Sequence, residues 1–363
     1  MFKGTDYTRW VFSSTGVAVT RNLARIVKID AISPIEKADA IEVAHVGGWK
    51  VVVRKGKFRP GDLAVYFEID SFLPEGNPAW RFLVDKSACV FEDKRGHVLR
   101  SVKLRGQVSQ GLLLSLAALK GTSLYGAALQ VGDSVAEALG VLKYERPIPA
   151  CLEGQVRGAF PSRVPKSDQE RIQNLANELT DWRRRGVVWE VTEKLEGTSC
   201  TFAWLDNELH VCSRTLNLAP TEGNSFWGAA KALGIHEKLE RYAGDRNIAL
   251  QGELVGFGIQ GNIYKMNGQA FYLYDVYDVD AARYLRSPER LAIAQTLDIP
   301  HVPVIDASFA MDENTTVERL LAMADGESQL RTGQRREGLV FKALTEPVSF
   351  KAISNQYLLN QKD

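Results

Sequence analysis

The sequence predicts an α+β protein: a small N-terminal β-barrel of short strands, then a larger unit of antiparallel sheets flanked by helices. Three observations carry this. Between residues 22 and 115 the β-prone runs are short and broken by Gly and Pro turns, with no long helical period. Between 145 and 165 the chain is dense in Pro and Gly, as a boundary between domains is. Beyond residue 166, strand-like runs alternate with stretches of helix length. A chain of 363 residues accommodates two such units.

Composition narrows the function classes. Hydrophobic content of 45% and charged content of 25% are those of a globular protein. No apolar run approaches the ~18 residues of a membrane span, so no membrane association is expected. Net charge is +1, which excludes a strongly basic nucleic-acid coat and leaves any nucleic acid to a local basic surface. Cys89, Cys151, Cys200 and Cys212 form no C-x-x-C pair, which argues against zinc and for a reduced, cytoplasmic protein. Residues 1–20 lack a signal-peptide core and read as an N-terminal extension.

In order, the first unit (21–145) contains strand-like runs at 24–32, 41–46, 49–54, 63–69, 100–105 and 111–115. An oligonucleotide-binding (OB) barrel fits their number and size. Lys50, Arg54, Lys55, Lys57, Lys103 and Arg105 supply positive charge. Trp49, Tyr66 and Phe67 are either base-stacking groups or core. A short helical stretch is expected at 135–139, and residues 146–165 read as a linker.

The second unit (166–363) opens with Ser167 or Asp168 as the cap of a helix carrying Arg171. Arg183-Arg184-Arg185 reads as a basic surface or a solvated turn. A strand over 187–192 leads into Lys194-Leu-Glu-Gly197, where Gly197 permits close approach of the backbone to a ligand, or positive φ. A hairpin follows through Asp206-Asn207, ending at Ser213-Arg214. Further strands cover 248–256, 270–277, 337–342 and 349–353, with helices at 224–242, 287–297 and 315–324.

Lys194 ends its strand, so its ammonium projects into any cleft the sheet carries. A nucleophilic lysine must be neutral, yet at an ordinary pKa of about 10.4 only about one in a thousand is neutral near pH 7.4. Such a site needs desolvation, neighbouring cations or a metal.

The ordered set KLEG (194–197), SR (213–214), ELVG (253–256), YLYD (272–275), EGLVFK (337–342) and SFK (349–351) resembles the covalent nucleotidyltransferase superfamily of polynucleotide ligases and RNA capping enzymes. The resemblance implies that Lys194 attacks the α-phosphate of ATP to form lysyl-AMP. It implies that Arg214 reaches ribose or phosphate, Glu253 a ribose hydroxyl, and Tyr274 the adenine face. Glu196 and Glu337 are implied to hold Mg2+ or Mn2+, and Lys342 and Lys351 to grip the α-phosphate. Arg171 resembles an upstream phosphate-contacting arginine. Many relatives carry Lys-x-Lys where this chain has Ser349-Phe-Lys351, so one cation is missing.

DNA ligases and capping enzymes carry an OB domain after the last motif, whereas here 12 residues follow Lys351 and the barrel-like region comes first. That order, with KSDQERIQN before the lysine and SFKAISNQYLL at the end, is similar to the RNA ligase 5 family. The expectation is an ATP-dependent RNA ligase for RNA repair, joining a 3′-hydroxyl to a 5′-phosphate on RNA ends, with ATP and a divalent metal as cofactors and no obligate protein partner. A DNA nick ligase, a capping guanylyltransferase and a non-catalytic RNA-binding protein are the alternatives.

Overall fold

Ala64, Val65, Tyr66 and Phe67 are four consecutive residues with no exposed surface, so the strand they form must be covered on both faces. This strand is central to the first unit. The computed structural model describes residues 11–12, 18–19, 22–83, 88–144 and 154–360. Of the expected extension 1–20, it describes only a short antiparallel pair, β1 (Val11–Phe12) and β2 (Ala18–Val19). The remainder of that extension, residue 145 of the expected first unit and residues 146–153 of the expected linker lie outside the described residues.

The first unit then contains β3 (Ala24–Lys28), β4 (Ala31–Pro34), β5 (Ile41–Val46), β6 (Trp49–Arg54), β7 (Leu63–Phe67), β8 (Ser71–Pro74), β9 (Ala88–Phe91), β10 (Lys94–Val98), β11 (Ser101–Leu104), β12 (Gln107–Gln110), β13 (Leu112–Ser115) and β14 (Leu142–Lys143). The β13-β7-β3 and β4-β5-β6 ladders enclose one interior, made by Val27, Ala44, Val51, Val53, Ala64, Leu113 and the rings of Trp49 and Tyr66. The opposite face of β7 contributes Val65 and Phe67 to a second core with Leu73, Trp80, Leu99 and Leu119. Among the described residues the ladders form no single closed hydrogen-bonded circuit. Trp49, Tyr66 and Phe67 are therefore core, not stacking groups; alternation along β7 sends its two rings into two different cores. Residues 136–140 form a turn where a short helix was expected.

The second unit contains β15 (Val156–Ala159), β16 (Glu170–Arg171), α1 (Glu178–Arg185), β17 (Val188–Lys194), β18 (Thr198–Leu205), β19 (Glu208–Cys212), β20 (Leu216–Leu218), α2 (Ser225–Ala232), α3 (Ile235–Ala243), β21 (Ile248–Gly256), β22 (Gln269–Asp278), β23 (Arg283–Tyr284), α4 (Ser287–Thr296), β24 (Val304–Ala310), α5 (Val317–Ala324), β25 (Gly338–Ala343), β26 (Ser349–Ile353) and α6 (Asn355–Asn360). One sheet has seven strands in the order β15-β20-β19-β18-β21-β22-β23, the other five in the order β16-β26-β25-β17-β24.

Helices cover one face of each sheet. Residues of α2, α3 and α4 pack on Phe202, Trp204, Leu250 and Phe271 of the seven-stranded sheet. Residues of α1 and α5 pack on Trp189, Val191, Phe341 and Phe350 of the five-stranded sheet. Trp182 of α1 stacks on Phe350, which stacks on Phe341, with ring centroids 5.5 and 4.6 Å apart.

Three expectations are corrected here. Val156–Ala159, expected inside the linker, is an edge strand paired with β20. Ser167 and Asp168 cap no helix; Glu170–Arg171 pairs in parallel with β26. Arg183–Arg185 is the last turn of α1, where cations oppose the helix dipole and Gly186 at φ 63° ends the helix.

Candidate active site

Side chains alternate along strands, and here the alternation sorts them by function. In the five-stranded sheet Trp189 and Val191 of β17, Leu339 and Phe341 of β25, and Phe350 and Ala352 of β26 enter the core. Their neighbours Glu190, Lys194, Lys342 and Lys351 project from the opposite face. In the seven-stranded sheet, Ile248, Leu250 and Leu254 of β21 enter the core while Glu253 faces away. Tyr274 of β22 packs apart from that core, with Leu195, Val255 and Tyr264. The Lys194–Gly197 turn links the last residue of β17 to the first of β18, and so carries the chain from one sheet to the other. Gly197 is required by its neighbour strand: a Cβ there would sit 2.4 Å from Leu254 O and 2.9 Å from Glu253 Cγ.

Lys194 Nζ makes an ion pair of 2.7 Å with Glu337 Oε1. Burial pushes the Lys194 pKa down, but the charges of Glu337 and Glu253 outweigh it, and the net shift is upward. Glu253, desolvated between Glu337 and Glu196, is pushed up to about 8 despite Lys194. Burial likewise raises Glu196. Glu196 Oε1 accepts from Gly261 N at 3.0 Å, while Oε2 is buried with no hydrogen-bond partner.

Each expected phosphate-binding cation is held by a carboxylate. Lys342 Nζ donates to Asp275 Oδ1 at 2.5 Å. Lys351 Nζ donates to Asp168 Oδ1 at 2.9 Å, and Arg214 Nη2 to Asp168 Oδ2 at 3.4 Å. Burial lowers the pKa of both Lys342 and Lys351. Arg171 lies directly opposite Lys351 across the β16–β26 pair, and its Nη2 donates to Asp70 Oδ2 of the first unit at 3.3 Å. Arg171 Nε and Nη1 are buried without partners. The Tyr274 hydroxyl shares a hydrogen bond of 3.2 Å with Ser199, and the ring lies 5.8 Å from Lys342 Nζ.

Comparison with known proteins adds a decisive likeness. A family model described as RNA ligase matches residues 187–353, and an OB-fold domain model matches 23–116. A Naegleria gruberi RNA ligase mutant with ATP and Mn is 45% identical, covers 93% of this chain and 98% of its own, and superposes with a TM-score of 0.84. The same enzyme as a mutant with AMP and Mn gives 45%, 93%, 98% and 0.84, and with PPi 45%, 93%, 98% and 0.83. The chain belongs to the RNA ligase family. No curated protein sequence matches it. Its first unit is an OB-fold domain placed before the ligase domain.

The carboxylates of this RNA ligase fit a divalent cation. Glu196 carries an orphaned buried oxygen, and Glu253 is pushed up to about 8 by burial and by its acidic neighbours. A bound cation relieves both conditions. Among the described residues no three His, Cys, Asp or Glu side chains form a ready-made cage. A cation here would be held by one or two carboxylates together with phosphate and water, as Mg2+ commonly is.

Sequence reasoning missed the carboxylate partners. Asp275 stands in the quoted YLYD motif next to Tyr274, and Asp168 was read as a helix cap. The buried pair Arg290–Glu190, which His301 joins through Arg290 Nε at 3.0 Å, had no sequence signal. Among the described residues no helix is long and apolar enough to cross a membrane.

Proposed function

We infer that this chain is an ATP-dependent RNA ligase that seals RNA 3′-hydroxyl and 5′-phosphate ends through lysyl-AMP. The observation that carries the reading is the position of Lys194: it ends β17 where the two sheets meet, paired with Glu337, while Arg171 and Lys351 lie side by side in the same sheet.

The chemistry needs neutral Lys194. Its Nζ attacks the α-phosphorus of ATP, a P–N bond forms, and pyrophosphate leaves. Lys342, Lys351 and Arg171 stabilise the charge that develops on the phosphoryl oxygens. Glu253 holds the ribose, Arg214 the ribose or a phosphate, and Tyr274 the adenine face. Glu196 and Glu337 would hold Mg2+ or Mn2+, which when bound would offset phosphate charge and lower the lysine pKa. An oxygen of the RNA 5′-phosphate then takes AMP from Lys194. Finally the RNA 3′-hydroxyl attacks the activated phosphate and AMP departs.

Exposed Arg54, Lys55, Lys57, Lys103 and Arg105 on the OB domain are suited to RNA phosphates. The free thiols of Cys89, Cys200 and Cys212 favour a reducing compartment, and we place the enzyme in the cytoplasm.

Incubation with α-labelled ATP and Mg2+, followed by denaturing electrophoresis, is expected to show a labelled chain that GTP does not give. Nicked RNA with a 3′-hydroxyl is expected to be sealed, and DNA 3′ ends poorly. A chain that binds RNA but is never labelled overturns the reading.

A further inference from the structure

Residues 165–171 cross between the two sheets. At one end Pro165 O accepts from Gln251 Nε2 of β21 at 2.8 Å and from the Tyr284 hydroxyl of β23 at 3.4 Å, on the seven-stranded sheet. At the other end Glu170–Arg171 joins the five-stranded sheet beside β26. Ser167 Oγ donates to Asp275 Oδ2 at 3.3 Å on the way. The strap is thus tied at both ends, with Asp168 between them.

Three cations from three separate parts of the chain converge on that one carboxylate. They are Lys351 of β26 at 2.9 Å, Arg214 of the loop after β19 at 3.4 Å, and Lys143 of β14 at 3.8 Å. Two of them belong to the proposed nucleotide pocket, one from each sheet, and the third comes from the OB domain. A carboxylate offers two anionic oxygens to N–H donors, as a phosphate does. Lys351 is largely buried and has Arg171 opposite and Lys194 near enough to repel it. Without a counter-charge this group of cations would be costly to bury.

We propose that Asp168 is a tethered stand-in for a nucleotide phosphate: it neutralises Lys351, Arg214 and Lys143 in the empty enzyme, and ATP must displace it to bind. This rests on reading the cleft as the ATP pocket. Asp168 therefore sets the affinity for ATP against the stability of the empty enzyme. Because Lys143 shares the carboxylate, the OB domain is tied to the same displacement.

The test is the ATP dependence of Lys194 labelling in the full chain. Asp168→Asn keeps the shape and removes the charge, and is expected to lower KM for ATP at least about threefold with a smaller change in kcat. Asp168→Glu restores the charge and is expected to return KM toward the wild-type value. In thermal melting, Asp168→Asn should unfold earlier without ATP and show a larger rise on adding ATP, because stabilisation grows with affinity. Asp168→Ser serves the same comparison if the Asn variant does not fold. A KM that is unchanged or raised in the neutral variants, or an ATP-induced rise no larger than wild-type, overturns the proposal. Absence of labelling in the wild-type enzyme would instead refute the ligase reading itself.

Discussion

Lys194 and Glu337 meet at 2.7 Å where the two sheets converge, and this pair holds the proposed nucleophile as an ammonium. Glu337 and Glu253 together raise the lysine pKa against the effect of burial. Lys194 is therefore held as an ammonium, and the proposed reaction requires ATP and metal to activate it.

The first prediction follows from that state. Lys194→Ala and Lys194→Arg should abolish labelling while leaving a folded protein with a cooperative melting transition. In the wild-type enzyme at limiting Mg2+, labelling should rise with pH, about tenfold per unit while the amine stays mostly protonated. The sign comes from the upward shift: fewer neutral amines at a given pH, more as pH climbs. A flat profile from pH 6 to 9, or a labelled Lys194→Ala protein, contradicts the assignment.

Glu253 gives a second prediction, of stability. Its carboxyl, pushed up to about 8, binds a proton more tightly in the folded chain than in the unfolded one. Folding stability is then lost as pH rises from about 4.5 to about 8. Glu253→Gln removes that penalty. It should stabilise the empty enzyme at pH 8 by on the order of 1–3 kcal/mol, and the gain should vanish near pH 4.5. Labelling should fall in the same variant. Equal stability differences at both pH values would place the raised carboxyl elsewhere.

Much of this site was legible in the sequence, and the reasons are local. Lys194, Lys342 and Lys351 end or punctuate β-runs whose alternation is plain, so their projection away from the core follows from strand geometry alone. The Asp206-Asn207 turn was readable for the same reason: both residues take positive φ, at 50° and 63°, as a tight hairpin demands. What could not be read depends on distant contacts. Asp168 looks like a cap because Ser-Asp before a polar run usually is one; only β26, some 180 residues later, turns Glu170–Arg171 into a strand. Trp49 and Tyr66 resemble stacking groups because the closing of the β3–β7 ladders over them is invisible in the sequence.

The metal prediction concerns Glu196 and Glu337. Glu337→Ala should slow labelling at least about tenfold, even though it frees Lys194 from its ion pair. Glu196→Ala should shift the metal dependence to higher concentration, since it removes the one oxygen in this cluster that is buried with no partner. A magnesium or manganese titration of labelling separates the two effects. Unchanged rates and unchanged metal dependence in either variant would remove that residue from the metal shell.

Tyr274 tests the base site. Tyr274→Phe loses only the hydroxyl, with its 3.2 Å hydrogen bond to Ser199 and its interaction with Ser167, and should label at near wild-type KM. Tyr274→Ala should raise KM for ATP about tenfold, in line with the roughly 1–3 kcal/mol of a base–aromatic stack. Equal effects of the two substitutions would mean that the ring fills space and does not stack.

The junction between the domains supports the last prediction. Asn174, just after Arg171, accepts from Trp49 Nε1 at 2.7 Å and from Arg25 at 3.1 Å, and donates to Glu68 and Glu170 at 3.0 Å each. Gly48 N donates to Gln173 O at 3.2 Å, and a Cβ on Gly48 would come within 2.7 Å of Gln173 Cα. The OB domain thus holds the segment that carries Arg171, and through the β16–β26 pair it steadies Lys351. From the sequence alone, removing residues 1–150 should spare some labelling and impair sealing, or lower both if the barrel only stabilises its neighbour; these contacts favour the loss of both. Gly48→Ala, which forces the domains apart, should reduce labelling and sealing together and lower the melting temperature. Lys103→Glu with Arg105→Glu, on an exposed hairpin of the OB domain, should spare labelling, weaken sealing of nicked RNA and reduce its salt dependence. Measuring labelling, sealing of pre-adenylylated RNA and melting on both proteins separates the scaffold role from the RNA role. Full labelling by the Gly48→Ala protein would show that the domain contact is not what keeps Arg171 and Lys351 in place.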